Sequence, residues 1–263
     1  MFNALLQKHP HLSDFIVFGL KQAYASLFGG FLLAAILLTK IFWPENAPIT
    51  RYDFLFFYAI VIQISFLVLK LETWEEAAVI IIFHIVGTIM EIFKTHVGSW
   101  SYPEPSLIHI GAVPLFSGFM YSAVGSYIAR AWKIFKQHYT HYPSRALTVV
   151  LCVLIYANFF THHFVADIRI LLFAFTAILF WRTQVYFTPH RREYRMPLLL
   201  GFFLIAVFIW IAENTSTLCK IWVYPSQKTE WHMVPVEKLG SWFLLMIISF
   251  VLVSLIHKED SRQ

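Results

Sequence analysis

Charge is what this sequence has least of. Asp, Glu, Lys and Arg make up 13% of its 263 residues while 59% are hydrophobic, against about a quarter charged in soluble domains. That shortage excludes an ordinary soluble domain. Cysteine is nearly absent too: Cys152 and Cys219 are the pair present, without metal-ligand spacing, and neither is given a role. No RNA- or DNA-binding motif accompanies the net charge of +5, so no nucleic-acid partner is expected. Residues 1–22 lack a compact apolar core with a small-residue cleavage site, so no cleavable signal peptide is expected. With Lys8, Asp14 and Lys21 they read as an interfacial helix instead. Strand-like apolar alternation is missing, which argues against a membrane β-barrel.

What the sequence does have is long apolar runs, near residues 23–43, 54–70, 77–95, 107–129, 146–164, 169–187, 197–215 and 239–257. Most reach the ~17–25 residues with which a helix crosses a bilayer. The expectation is an all-α polytopic membrane protein of about eight transmembrane helices, with seven as the nearest alternative. The second run is short and the sixth is interrupted by Arg182. With the N-terminus in the cytoplasm, thirteen of the 20 Lys and Arg fall on the inner side and seven on the outer. That bias puts both termini on the cytoplasmic side of the membrane.

One pattern occurs twice. Glu91 is followed by Trp100-Ser101-Tyr102-Pro103 and Val113-Pro114; Glu213 is followed by Trp222-Val223-Tyr224-Pro225 and Val234-Pro235. The Glu-to-Trp spacing is nine in both copies and the offset is 122, with the approach to Val-Pro differing by one residue. This reads as an internal duplication. The expected organisation is an interfacial segment 1–22, a first repeat 23–137, a second repeat 138–257 and a cytoplasmic tail 258–263. With four helices in each half, the repeats are parallel.

An ionisable residue within a span is costly unless it is paired or faces water, so Glu91 and Glu213 are functional candidates by default. The bland alternative is an interhelical hydrogen bond. Lys94 follows Glu91 by three residues and stands on the same helix face, where it can neutralise it; the second copy has Ser216 there. Trp100, Tyr102, Trp222 and Tyr224 would shape the mouth of an outer-face site, or else belong to an aromatic belt. His84 lies seven residues before Glu91 on the same face, His109 follows the first Trp-x-Tyr-Pro, and His232 and Glu237 follow the second. His162, His163 and Asp167 belong to the same side. Such a group suits zinc, iron or manganese in principle, but no paired helical spacing supports one, so no metal and no cofactor is expected.

At these residues the chain resembles a family of bacterial integral membrane proteins known as domain of unknown function 817. The Glu…Gly-Ser-Trp-Ser-Tyr-Pro block at 91–103 and the Trp-Val-Tyr-Pro…Val-Pro-Val-Glu block at 222–237 carry the resemblance, which extends over nearly the whole chain. A shorter stretch, Val234-Pro235-Val236-Glu237 with Trp-x-Tyr upstream, is similar to the Pro-x-Glu signature of the membrane-embedded lycopene cyclase and carotenoid hydratase group. That similarity implies an apolar isoprenoid substrate and a carboxylic acid that protonates a carbon–carbon double bond, with Glu237 the matching residue. The first copy departs from it, since Pro114-Leu115-Phe116 has Phe in the place of the acid.

Three functional readings follow. The first is binding or modification of a lipidic, isoprenoid-like molecule between the two halves, with Glu91 and Glu213 as acid/base residues and Glu237 next. Membrane lipid and an apolar small molecule are then the partners. The second is a proton-coupled transporter of small solutes, and the third a structural membrane subunit. A blind outer pocket favours the first, and a cavity running through with polar lining at both ends favours the second.

Overall fold

The structure is a computed structural model that describes residues 10–256. The start of the expected interfacial segment and the tail 258–263 lie outside the described residues. Helices α1 (Pro10–Ala25), α2 (Leu27–Phe42), α3 (Arg51–Val68) and α4 (Trp74–His96) come first. A two-stranded hairpin follows, β1 (His109–Ile110) with β2 (Val113–Pro114), and leads into α5 (Ser117–Ile134). Next come β3 (His138–Thr140), α6 (Arg145–Thr161) and α7 (Arg169–Phe180). The chain then runs through β4 (Gln184–Phe187), β5 (Tyr194–Pro197), α8 (Leu198–Leu218) and α9 (Lys238–Ile256).

A helix occupies each of the eight apolar runs, but the helices are unequal. By length and composition α3, α4, α8 and α9 are able to cross a membrane, and α1 with α2 make a fifth span if that pair, bent by 69°, counts as one. The other runs fall short for physical reasons. Helix α7 has 12 residues, about 18 Å at the helical rise, well under the ~30 Å hydrocarbon core. Its expected continuation to residue 187 is instead β4, the middle strand of an antiparallel sheet ordered β3-β4-β5. The fourth run also begins as the hairpin, and its helix starts only at Ser117.

Capping chemistry sets the helix starts. Thr73 and Glu76 form a reciprocal capping box at α4, the Thr73 N–H donating to Glu76 Oε2 at 2.8 Å. Thr50 caps α3 by accepting from the Asp53 N–H. The ends of α4 and α8 share one device. After α4, Gly98 turns with φ +74°, the Gly98 N–H donates to Thr95 O and the Ser99 N–H to Lys94 O. After α8, Lys220 turns with φ +57°, its N–H donates to Thr217 O and the Ile221 N–H to Ser216 O. Both are Schellman endings, which reverse the chain and satisfy the last carbonyls. Each reversal comes seven residues after its glutamate and two before its tryptophan, which explains the shared spacing of nine.

The core has two main parts. One joins α4–α9, with Leu151, Phe202, Leu244 and Ile247 among its buried residues. The other packs α2 and α3 against Phe116, Phe119, Ile221, Trp222 and Tyr224. Helix α1 lies beside the three-stranded sheet, where the Lys21 ammonium donates to Ile134 O at 3.0 Å and Thr188 O at 3.1 Å.

Candidate functional site

Because each Schellman ending folds the chain back over its helix, each Trp-x-Tyr-Pro segment returns to its own glutamate. Trp100 Nε1–H and the Tyr102 hydroxyl both donate to Glu91 Oε2 at 2.7 Å. The Tyr121 hydroxyl from α5 donates to Glu91 Oε1, also at 2.7 Å. The Tyr224 hydroxyl donates to Glu213 Oε1 at 2.5 Å, and Trp242 Nε1–H from α9 to Glu213 Oε2 at 2.7 Å. Both glutamates are about 3% exposed. Burial of a carboxyl is tolerated when its oxygens accept good hydrogen bonds, as here.

The two segments also meet each other. Ser101 N–H donates to Val223 O at 3.0 Å and Val223 N–H to Ser101 O at 2.9 Å, an antiparallel bridge between the middle residues of the two motifs. The Trp100 and Tyr224 rings pack edge to face with centroids 6.1 Å apart. A continuous line of contacts therefore runs from Glu91 through Trp100 and Tyr224 to Glu213.

Neighbouring loops hold this arrangement in place. Asp53 accepts from Ser106 Oγ and from the Leu107 and Ile108 amides, which fixes the loop after the first motif. Arg51 donates to Glu104 at 2.7 Å and to Cys219 O at 3.2 Å, and the Tyr52 hydroxyl donates to Ile221 O at 2.8 Å. Gly87 lets α5 come close: a Cβ there would lie 2.5 Å from the Tyr121 ring.

Glu91 and Glu213 both line one cavity of about 1070 Å³. Trp100, Tyr121, Trp222, Tyr224 and Trp242 line it too, as do Lys94, Glu237 and Lys238. Most of its wall is apolar. From the glutamates it extends to Phe15, Phe18 and Gln22 of α1 and to Gln137 and Tyr139 beside the sheet, so it is not confined to one end of the bundle.

Several expected partnerships come out differently. Lys94 does not pair with Glu91, whose oxygens are taken by Trp100, Tyr102 and Tyr121. Its ammonium reaches across to the end of α6, 2.9 Å from His163 Nε2 and 3.5 Å from His162 Nε2. Tyr102 holds Glu91 but does not line the cavity. His84 stacks against Phe119 at 4.4 Å and lies away from the cavity. His109 is exposed, its Nδ1 2.7 Å from Gly111 O. His232 is exposed as well, and it is the backbone carbonyl that is used, accepting from Gln227 Nε2. Glu237 is exposed at the start of α9. Among the described residues no three His, Cys, Asp or Glu side chains gather as a metal site.

Tyr121 and Trp242 are the site residues that sequence reasoning missed. The signal was present: they stand 121 apart, the offset that also relates Val113 to Val234. Once the one-residue difference is allowed for, each half supplies an aromatic donor from the helix after its Val-Pro.

Outside the helices, burial and the adjacent Glu91 push the Tyr102 phenol well above its ordinary range. Burial and Glu213 do the same to Tyr224. Both hydroxyls therefore stay protonated and act as donors.

The family model described as protein of unknown function (DUF817) matches residues 14–250. The chain belongs to this family. It is 43% identical over 243 residues to the uncharacterized protein YoaT of Bacillus subtilis (strain 168), covering 92% of this chain and 91% of that relative. No solved structure matches the chain. The similarity of the Val234–Glu237 stretch to the lycopene cyclase signature has no counterpart in these comparisons, and the membership rests on residues 14–250, both Trp-x-Tyr-Pro blocks included.

Proposed function

We propose that the protein binds a lipidic, isoprenoid-like molecule in the central cavity and exchanges protons with it through Glu91 and Glu213. The observation that carries this reading is that both carboxyl groups border one largely apolar chamber. Each is oriented by neutral aromatic donors rather than consumed in an ion pair. One carboxyl group donates a proton to a carbon–carbon double bond while a carboxylate removes one from a neighbouring carbon, so the double bond moves and no co-reactant is required. The π-faces of Trp100 and Trp222 favour positive charge developing beside them. Glu237, exposed at the cavity mouth, serves as a further acid. The chain passes through a bacterial plasma membrane eight times with both termini cytoplasmic, as two parallel repeats, α2–α5 and α6–α9; the helices shorter than the hydrocarbon core, α7 above all, are accommodated by local thinning of the bilayer. The recurrence of glutamate, Schellman ending, Trp-x-Tyr-Pro and aromatic donor in each half supports that arrangement.

The test is to purify the full chain with native lipids, identify co-purified apolar molecules by mass spectrometry, and repeat with Glu91→Gln and Glu213→Gln. A retained isoprenoid that is altered by the unsubstituted protein and unaltered by both variants supports the reading. An empty cavity sinks it.

A second reading, proton-coupled transport, gains from one observation: the cavity reaches Gln22, Gln137 and Tyr139 at its far end. Proton uptake into proteoliposomes that depends on a solute and disappears in Glu91→Gln would favour transport over chemistry.

A further inference from the structure

One cation that lines the cavity, Lys94, meets no carboxylate of the described residues. Lys94 is 5% exposed, yet among the described residues no carboxylate comes within 4.0 Å of its ammonium. A buried ammonium without a counter-ion is costly. Its neighbours are imidazoles, and their tautomers follow from their contacts. His162 Nδ1 lies 2.7 Å from Asn158 O, which can only accept, so the proton is on Nδ1 and the Nε2 lone pair faces Lys94. His163 Nε2 lies 2.9 Å from the same ammonium, which can only donate, so this nitrogen accepts. Burial and Lys94 hold both imidazoles below the ordinary histidine range. Two of the three ammonium N–H bonds thus go to neutral acceptors, and the Phe159 ring lies 5.8 Å away as a cation–π partner, so among the described residues no negative charge contacts Lys94.

Two more cations border the same space. Arg169 and Lys238 line the cavity and lie close enough to Lys94 to act on it electrostatically. Arg169 also meets Asp167 at 3.2 Å, and Lys238 stands over the Tyr224 ring at 4.6 Å. Three cationic side chains therefore lie together on the cavity wall.

We infer that the ligand is an anionic amphiphile, its phosphate-type headgroup bound by Lys94, Arg169 and Lys238 and its chain lying in the apolar cavity. This deepens the lipid-binding reading and rests on it. A phosphoryl group has several acceptor oxygens and up to two negative charges, so it matches a group of three cationic donors in charge as well as in number, where a carboxylate carries a single charge. The headgroup then sits beside the Trp-x-Tyr-Pro segments, and the chain extends past Glu91 and Glu213 towards α1. The reacting double bond is placed by the distance from this anchor.

The experiment is native mass spectrometry of the full chain with three probes: dodecyl phosphate, dodecanol and inorganic phosphate. The expected result is that dodecyl phosphate binds at least about tenfold more tightly than dodecanol, since hydrogen bonds to charged groups carry that much. Lys94→Met should remove the difference while dodecanol binding persists. Lys238→Gln, at a less buried position, should reduce it in the same direction and serves if Lys94→Met does not fold. Equal binding of dodecyl phosphate and dodecanol overturns the anionic headgroup and leaves lipid binding standing. Binding of neither chain overturns both readings. Inorganic phosphate binding as tightly as dodecyl phosphate shows a free-anion site and overturns the amphiphile.

Discussion

Ser101 and Val223, 122 residues apart in sequence, exchange both of their backbone hydrogen bonds. Residues so paired in an antiparallel bridge have Cα atoms about 5.5 Å apart, within reach of a disulfide. Ser101→Cys with Val223→Cys, in a Cys152→Ser, Cys219→Ser background, should crosslink on mild oxidation. The readout is a mobility shift on a non-reducing gel. Absence of the shift would mean that the two motifs do not meet.

The donors to Glu91 should be felt in stability. Tyr102→Phe or Tyr121→Phe removes one hydrogen bond to a buried carboxyl and should cost about 1–3 kcal/mol each. Glu91→Ala strands three donors at once and should cost more than either. Thermal unfolding in detergent measures all three; a neutral Tyr121→Phe would show that the α5 donor is dispensable.

Gly87→Ala puts a methyl group 2.5 Å from the Tyr121 ring, and overpacking of this kind costs about 1–3 kcal/mol. Because that ring carries the hydroxyl on Glu91, Gly87→Ala combined with Tyr121→Phe should lose less than the sum of the two. Strict additivity in the same unfolding assay would argue that the clash is relieved elsewhere.

At the two helix ends the same substitution logic runs in opposite directions. Gly98→Ala forces a Cβ into the left-handed region and should destabilise by about 1 kcal/mol. Lys220→Gly relieves that strain at the matching turn and should stabilise by roughly 0.5–1 kcal/mol. Opposite shifts in unfolding temperature are expected; equal shifts would contradict the shared geometry.

The imidazoles that accept from Lys94 give a pH signature. Burial and Lys94 lower the values of His162 and His163 below 6.5, so between the folded and unfolded values the unfolded chain binds more protons and stability rises with pH. Unfolding temperature should fall as pH is lowered below 6.5, and the slope should flatten in the His162→Asn, His163→Asn double variant. An unchanged slope would show that other groups govern it.

Much of this was legible in the sequence. The apolar runs located helices α2 to α9, and the pattern Glu91…Trp100 marked a real contact because a fixed helix ending makes spacing equivalent to contact. The rest depended on distance in space. Lys94 was assigned to Glu91 on helical spacing, but α6 brings His162 and His163 to it from 68 and 69 residues away, which no local pattern reports. The sheet was hidden because β4 continues an apolar run, and its partners β3 and β5 lie in stretches rich in basic residues. His84, His109 and His232 share residue type and sequence neighbourhood with the site, but none of the three lines the cavity.

Helix α1, bent by 69° from α2, rests beside the sheet. It also carries Phe15, Phe18, Gly19 and Gln22 into the far end of the chamber, so that part of the wall hangs on a single joint at Ser26. Lys21 fastens it to Ile134 and Thr188, and Asp14 to Tyr194 at 2.8 Å. Aromatic packing of Phe18 on Phe135 and Phe187, with centroids 5.4 and 5.9 Å apart, reinforces those ties. One wall of the chamber is thus a separately anchored panel, braced by polar and apolar contacts together.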